Sequence, residues 1–325
     1  MEQIRDIQKL VQISKMYYMD GMTQESIAKE AGISRSAVSQ LLTEAKNAGL
    51  VQITIKDPFV NNEELSKEFV QRFGLRNCIV VPTGVKKHGM LLRIVVAMTT
   101  RFMQDLMTSH SSFGLAWGSA CYEFMQAFPD DTDLCDITVV PLIGGSPLVN
   151  QEFQINECVR RFAEKVNGTP LFMYSPGIVE SLKDKKRFLE SSYMQAILEQ
   201  WKHLDCAVIG IGRYSEPYDG YQFNSEALLS RILKHPDCTV GDLCARYFNI
   251  RGEILKCTHN DKLIGIDEEG LRNVKSVVAI AVGDSKVMPI IGALNSGLLN
   301  YLATDEHTAN QVLSLLDSGK LDKVL

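Results

Sequence analysis

Over the first fifty positions, apolar residues recur at helical spacing in three blocks separated by glycines and hydroxyl residues. The first block predicts a helix over Arg5–Met19, with Ile7, Leu10, Val11, Tyr17 and Tyr18 on one face. Asp20-Gly21 ends it, since glycine tolerates the left-handed backbone that closes a helix. Thr23 offers a capping oxygen to a second helix over Gln24–Glu30, and Ala31-Gly32-Ile33 forms a three-residue turn. Ser34 caps a third helix running to Ala48, whose apolar face is Val38, Leu41, Leu42 and Ala45. Beyond Gly49 the period falls to two. Val51, Ile53 and Ile55 alternate with Gln52, Thr54 and Lys56, which predicts a half-buried strand. Helix, tight turn, capped helix and strand in this order predict a winged helix-turn-helix over residues 1–57.

Asp57-Pro58-Phe59-Val60-Asn61-Asn62 breaks the pattern and marks a boundary. Residues 58–76 read as a linker with a helix over Glu63–Phe73, carrying an apolar stripe of Leu65, Phe69 and Phe73. That stripe fits either a dimer contact with its twin or packing onto the rest of the same chain. From residue 77 to 325, apolar strands alternate with helices. Predicted strands are Cys78–Pro82, Phe113–Trp117, Ile137–Ile143, Leu171–Tyr174, Asp205–Ile211, Val277–Val282 and Leu299–Thr304. Helices expected between them include Leu91–Met107, Ile155–Asn167, Tyr193–His203, Lys286–Asn295 and Glu306–Leu315. Strands apolar on both faces predict an α/β domain built on a doubly wound, mostly parallel sheet. The tail Ser318–Leu325 is polar enough to expect disorder.

The third helix exposes Arg35, Ser36, Ser39, Gln40 and Thr43, short hydrogen-bonding side chains with one guanidinium, the chemistry that reads base edges in a major groove. Thr23, Gln24 and Ser34 stand at helix starts where amides meet phosphate, and Lys56 on the wing, like Arg35, reaches the backbone or a groove. In the larger domain, glycine-rich turns follow several strands: Gly114–Ala120 with Gly118 and Ser119, Pro141–Ser146 with Gly144 and Gly145, Gly210–Gly212, and Val282–Lys286 with Gly283. Ligands bind at the carboxyl ends of parallel strands, glycines let amides approach, and Lys286 supplies a point charge. Together they describe a polar anion site suited to a sugar phosphate.

Composition narrows the picture. The chain has 325 residues, 45% hydrophobic and 22% charged, as in ordinary globular proteins, and no apolar run long enough to span a membrane. The N-terminus lacks the apolar stretch of a secretory signal, so a cytoplasmic protein is expected. A net charge of −5 argues against broad, charge-driven nucleic-acid binding and makes DNA recognition a matter of local geometry. Eight cysteines are scattered without zinc-ligand spacing and read as buried, reduced thiols; neither metal nor cofactor is expected. An isomerase with a DNA-binding appendage is the competing reading. It needs a tuned base near the sugar carbon. His88, His110, His203, His235, His259 and His307 are dispersed, and only Asp242 and Asp284 fall near the pocket, which favours binding without turnover.

The segments Tyr17–Ala28 and Gly32–Leu42 carry a tyrosine pair, a glycine, a Gln-x-x-Ile-Ala helix and a Ser-Arg-x-x-Val-Ser helix. With Gly114–Ser119, Pro141–Gly145, Gly210–Gly212, Gly241-Asp242 and Thr304-Asp305-Glu306-x-x-Ala309, they make the chain resemble the SorC/DeoR-type family of sugar-responsive bacterial regulators over nearly its whole length. The resemblance implies an effector domain similar to sugar-phosphate isomerases, a phosphorylated sugar as inducer, and a homodimer or homotetramer on operator DNA. It implies phosphate turns at Gly118-Ser119 and Gly144-Gly145, a phosphate lysine at Lys286, and a carboxylate for sugar hydroxyls at Asp242. The chain departs from the family in having Ser119 where threonine is usual and Val282-Gly283 where a glycine pair is usual.

Overall fold

In the computed structural model, the described residues are 2–51, 60–83, 88–130, 132–147, 153–214 and 225–325. The chain divides into two compact units, Met1–Lys56 and Asp57–Leu325.

The first unit is built from α1 (Glu2–Tyr18), α2 (Gln24–Ala31) and α3 (Arg35–Asn47). Ile13, Ile27, Ala28, Val38 and Leu42 form its core, with Met16, Tyr17, Met22, Ile33 and Leu41 packed around them. The buried face of α1 is rotated from the expected one. Leu10, Ile13 and Ser14 are buried, whereas Ile7 and Tyr18 are exposed. Gly32 closes α2 at φ 65°, and Ile33 donates its amide to Ala28 O at 3.0 Å, which sets the tight corner between α2 and α3. The predicted wing, with Lys56, lies outside the described residues apart from Val51.

The second unit opens with α4 (Glu63–Phe73), followed by β1 (Asn77–Val81), α5 (His88–Leu106), β2 (Ser112–Leu115), α6 (Ser119–Ala127), β3 (Thr138–Pro141), α7 (Ile155–Lys165) and β4 (Thr169–Pro170). Next come α8 (Leu182–Leu189), α9 (Ser192–Trp201), β5 (Cys206–Arg213), α10 (Ser225–Lys234) and a hairpin of β6 (Gly241–Leu243) and β7 (Arg246–Phe248). The chain finishes with α11 (Thr258–Lys262), α12 (Glu268–Asn273), β8 (Ser276–Ile280), α13 (Val287–Asn295), β9 (Tyr301–Asp305) and α14 (Glu306–Asp317).

The main sheet has the order β1-β9-β8-β5-β2-β3-β4, and its neighbouring strands are parallel. Strands β8 and β9 are buried at every residue, as a sheet covered by helices on both faces requires. From the adjacent pair β2 and β5 the chain winds outward both ways, through β3 and β4 on one side and through β8 and β9 on the other. Such a reversal opens a crevice at the strands' carboxyl ends.

Two expectations are corrected, and one element was not anticipated. Leu171–Tyr174 is not a strand; β4 is two residues earlier, and only Leu171 remains tied to the sheet, by its amide to Val139 O at 2.8 Å. The hairpin β6–β7 is antiparallel and extends β5, a feature whose three-residue strands carry no readable period. The tail is not disordered, because Leu321 and Val324 are buried in the core. Of the two roles open to the α4 stripe, packing within the chain is the one seen: Phe69 is fully buried, and Leu65 and Phe73 pack beside it. Asn62 caps α4, and Ser66 Oγ donates to Cys78 O, which ties the helix to β1.

Candidate functional site

The first unit presents α3 as an exposed, capped rod. Ser34 Oγ accepts from the Ala37 amide at 3.1 Å and shares a 2.9 Å hydrogen bond with Ser36 Oγ. Thr23 Oγ1 accepts from the Ser26 amide at 3.2 Å at the start of α2. Arg35, Ser36, Ser39, Gln40 and Thr43 are all exposed, and their spacing puts them on one face of α3. Gln24, the first residue of α2, is half-buried. Thr43 Oγ1 donates back to Ser39 O at 3.0 Å, so its hydroxyl keeps only acceptor capacity toward a partner. Arg35 enters no ion pair among the described residues, leaving its guanidinium fork open.

In the second unit the crevice between β2 and β5 holds a cavity of about 190 Å³. Gly118, Ser119, Gly212, Asp242 and Lys286 line it together, brought from four separate segments. Gly118 takes φ 132° and gives α6 no side-chain cap, so the first amides of the helix have no side-chain partner and suit an anion. Ser119 begins that helix and is exposed.

Asp242 is set by strand register. It pairs with Gly212 in the antiparallel ladder, and a Cβ at Gly212 would fall 1.7 Å from Asp242 Oδ1. Glycine is therefore required for the carboxylate to stand where it does. Asp242 Oδ2 accepts from the Ala245 amide at 3.0 Å across a tight turn whose Cys244 and Ala245 take φ 49° and 61°. Two non-glycine residues in the left-handed region cost backbone strain that the surroundings offset. Asn260 supplies part of that support, its Oδ1 accepting from the Tyr247 amide and its Nδ2 donating to Tyr247 O and Leu255 O.

Burial pushes the Asp242 carboxyl above the ordinary carboxylate range, opposed by the nearby Lys286 charge. Burial likewise draws the Lys286 ammonium down, opposed by Asp242. Lys286 Nζ donates to Ile211 O at 2.6 Å, which aims it at the end of β5.

Three predicted residues do not reach the cavity. Gly144 and Gly145 donate their amides to Ile264 O and Ser175 O, both at 2.9 Å, and so are occupied internally. A Cβ on Gly144 would meet Pro176 O at 2.5 Å, so close backbone packing explains that glycine. Gly283 donates to Asp305 Oδ2 at 3.0 Å and Thr308 Oγ1 at 2.8 Å, which likewise spends its amide. The cavity is lined in addition by Leu92, Trp117, Cys244 and Val282. Trp117 lies inside the glycine-rich segment already singled out, and its Nε1 donates to Gly144 O at 3.1 Å. Leu92 and Cys244 carry no sequence signal, since only the packing of α5 and the hairpin brings them there.

A helix-turn-helix unit ahead of a doubly wound α/β domain with a polar crevice at its topological switch defines a ligand-binding regulator architecture. The chain belongs to the family described as "Putative sugar-binding domain", whose model matches residues 57–314. Residues 12–47 match the model for sigma-70, region 4. The sorbitol operon regulator of Klebsiella pneumoniae is 26% identical over 96% of this chain and 100% of its own length. The deoxyribonucleoside regulator of Bacillus subtilis is 28% identical over 95% of this chain and 99% of its own. The crystal structure of full-length SorC from Klebsiella pneumoniae superposes with a TM-score of 0.70 at 25% identity, covering 95% of this chain and 99% of that one. The fold is thus the SorC-type one, with the helix-turn-helix region N-terminal. Among the described residues no helix is long and apolar enough to cross a membrane.

Proposed function

We propose that the chain is a DNA-binding transcriptional regulator of carbohydrate metabolism, controlled by a phosphorylated sugar held in the crevice between β2 and β5. The observation that carries the reading is the convergence of the uncapped start of α6, Ser119, Lys286 and Asp242 on one cavity. The helix start and lysine suit a phosphate, and the carboxylate suits sugar hydroxyls. Names of relatives such as the sorbitol operon and deoxyribonucleoside regulators support a sugar-linked signal.

Arg35, Ser36, Ser39, Gln40 and Thr43 read base edges in this proposal, while Thr23, Gln24, Ser34 and Lys56 meet phosphates. Two such helices on a paired operator need a homodimer or homotetramer, and the site of action is the cytoplasm. Binding without turnover is the proposal, because among the described residues the cavity is lined by a single carboxylate and no imidazole.

A thermal-shift screen across sugar phosphates, paired with footprinting on the protein's own promoter at low salt, tests it. Stabilisation by one phosphorylated sugar together with a footprint that it alters is the expected result. No footprint with or without metabolites would overturn the regulatory reading. Product formed from a sugar phosphate, and lost in Asp242→Asn, would restore the isomerase reading.

A further inference from the structure

At the end of the sheet opposite the cavity, the loops that precede β2 and β3 bring His110, Cys135 and Asp136 together. One imidazole nitrogen, the sulfur and one carboxylate oxygen all lie within 4.8 Å of one another. His110 Nδ1 stands 3.3 Å from Asp136 Oδ2. The loops are fixed to each other through the main chain. His110 donates its amide to Cys135 O at 3.0 Å, Cys135 donates to Ser109 Oγ at 3.2 Å, and Asp136 donates to Asn167 O at 3.0 Å. His110 and Asp136 hold positive φ angles of 63° and 55°. L residues rarely adopt that conformation, and histidine and aspartate are among the few that tolerate it. All three side chains are exposed, whereas Cys78, Cys121, Cys158, Cys206 and Cys244 are buried. Neither the cavity nor α3 uses any of the three.

We propose that His110, Cys135 and Asp136 form a binding site for a divalent transition metal, with Zn²⁺ the best fit to the donors. A thiolate beside an imidazole disfavours Mg²⁺ and Ca²⁺, which take oxygen ligands, and selects zinc-like ions. Bond lengths of about 2.0–2.3 Å in a tetrahedron set donors about 3.5 Å apart, so the exposed side chains close in by rotamer adjustment. Three protein donors leave the fourth position to water. On binding, the Cys135 thiol releases its proton to solvent as the sulfur–metal bond forms, and the imidazole donates a lone pair. No spacing motif announces the site, because its donors come from two separate loops. The segment between them carries Gly118 and Ser119, so the metal would clip the ends of the stretch that opens α6.

Titration of the chelator-stripped full chain with Co²⁺, followed by Zn²⁺, tests the site. The expected result is one Co²⁺ per chain, a thiolate-to-cobalt charge-transfer band in the near ultraviolet, and its displacement by Zn²⁺. Cys135→Ser abolishes the band. His110→Asn and Asp136→Asn, which keep residues tolerant of positive φ, weaken binding at least about tenfold. Alkylation of Cys135 in the folded parent protein gives the same loss without a substitution, which covers a variant that fails to fold. Absence of the band, or a band that survives Cys135→Ser and disappears in Cys238→Ser or Cys257→Ser, would overturn the proposal.

Discussion

Asp242 lines the cavity at a cost in stability. Its raised pKa means that the folded protein binds the Asp242 proton more tightly than the unfolded chain. The stabilising contribution is therefore present below the ordinary carboxylate pKa of 3.8 and is lost as pH rises through the folded value. At neutral pH the half-buried carboxylate costs stability. Asp242→Asn should raise the melting temperature of the ligand-free protein at pH 7, with the gain vanishing in acid, and should abolish the sugar-phosphate shift; scanning calorimetry at several pH values checks both. Gly212→Ala attacks the same group from the neighbouring strand, since its Cβ would lie 1.7 Å from Asp242 Oδ1. Displacement of the carboxylate should remove the effector response while circular dichroism stays that of the parent. At Arg35 the expectation concerns specificity. Arg35→Ala should lose about 1–3 kcal/mol on the operator and less on random DNA, as a base-reading guanidinium requires. Equal losses on both would reassign it to phosphate.

At the scale of elements, α3 depends on its cap. Ser34 satisfies the Ala37 amide and bonds Ser36, so Ser34→Ala should cost about 1 kcal/mol and speed hydrogen exchange at that amide. The effector response, housed in the other unit, should be unchanged. Period and capping made α2, α3 and the main strands readable from sequence, because each is long enough for its apolar spacing to repeat. Readability failed where distant contacts decide. On α1 the core took Ile13 in preference to Ile7, a rotation that local periodicity does not resolve. The hairpin β6–β7 is too short to show alternation, yet it delivers Asp242 and Cys244 to the cavity. A glycine after a strand also has two uses that look alike in sequence. Gly118 and Gly212 face the cavity, whereas Gly144 and Gly283 serve backbone packing and an internal hydrogen bond. Two of the four glycine turns thus line the cavity, and two serve architecture.

For the whole molecule, the proposed function makes the coupling between sugar phosphate and operator the decisive quantity. The chain carries a net charge of −5, so phosphate attraction alone gives little DNA affinity, and operator binding rests on a few contacts made in the right geometry. Affinity that depends on geometry is open to control by anything that biases one arrangement of the protein over another. If the sugar phosphate acts this way, thermodynamics fixes a reciprocal relation. The factor by which the effector changes operator affinity equals the factor by which the operator changes effector affinity. A coupling of about 1–3 kcal/mol corresponds to a change of about 5–150-fold in each. Fluorescence anisotropy with labelled operator, and calorimetric titration of the effector with and without saturating operator, measure the two factors independently. Equal factors, both lost in Asp242→Asn, are expected. An effector that binds the free protein and the operator complex with the same affinity has no differential free energy to spend, and could not be the signal this protein answers.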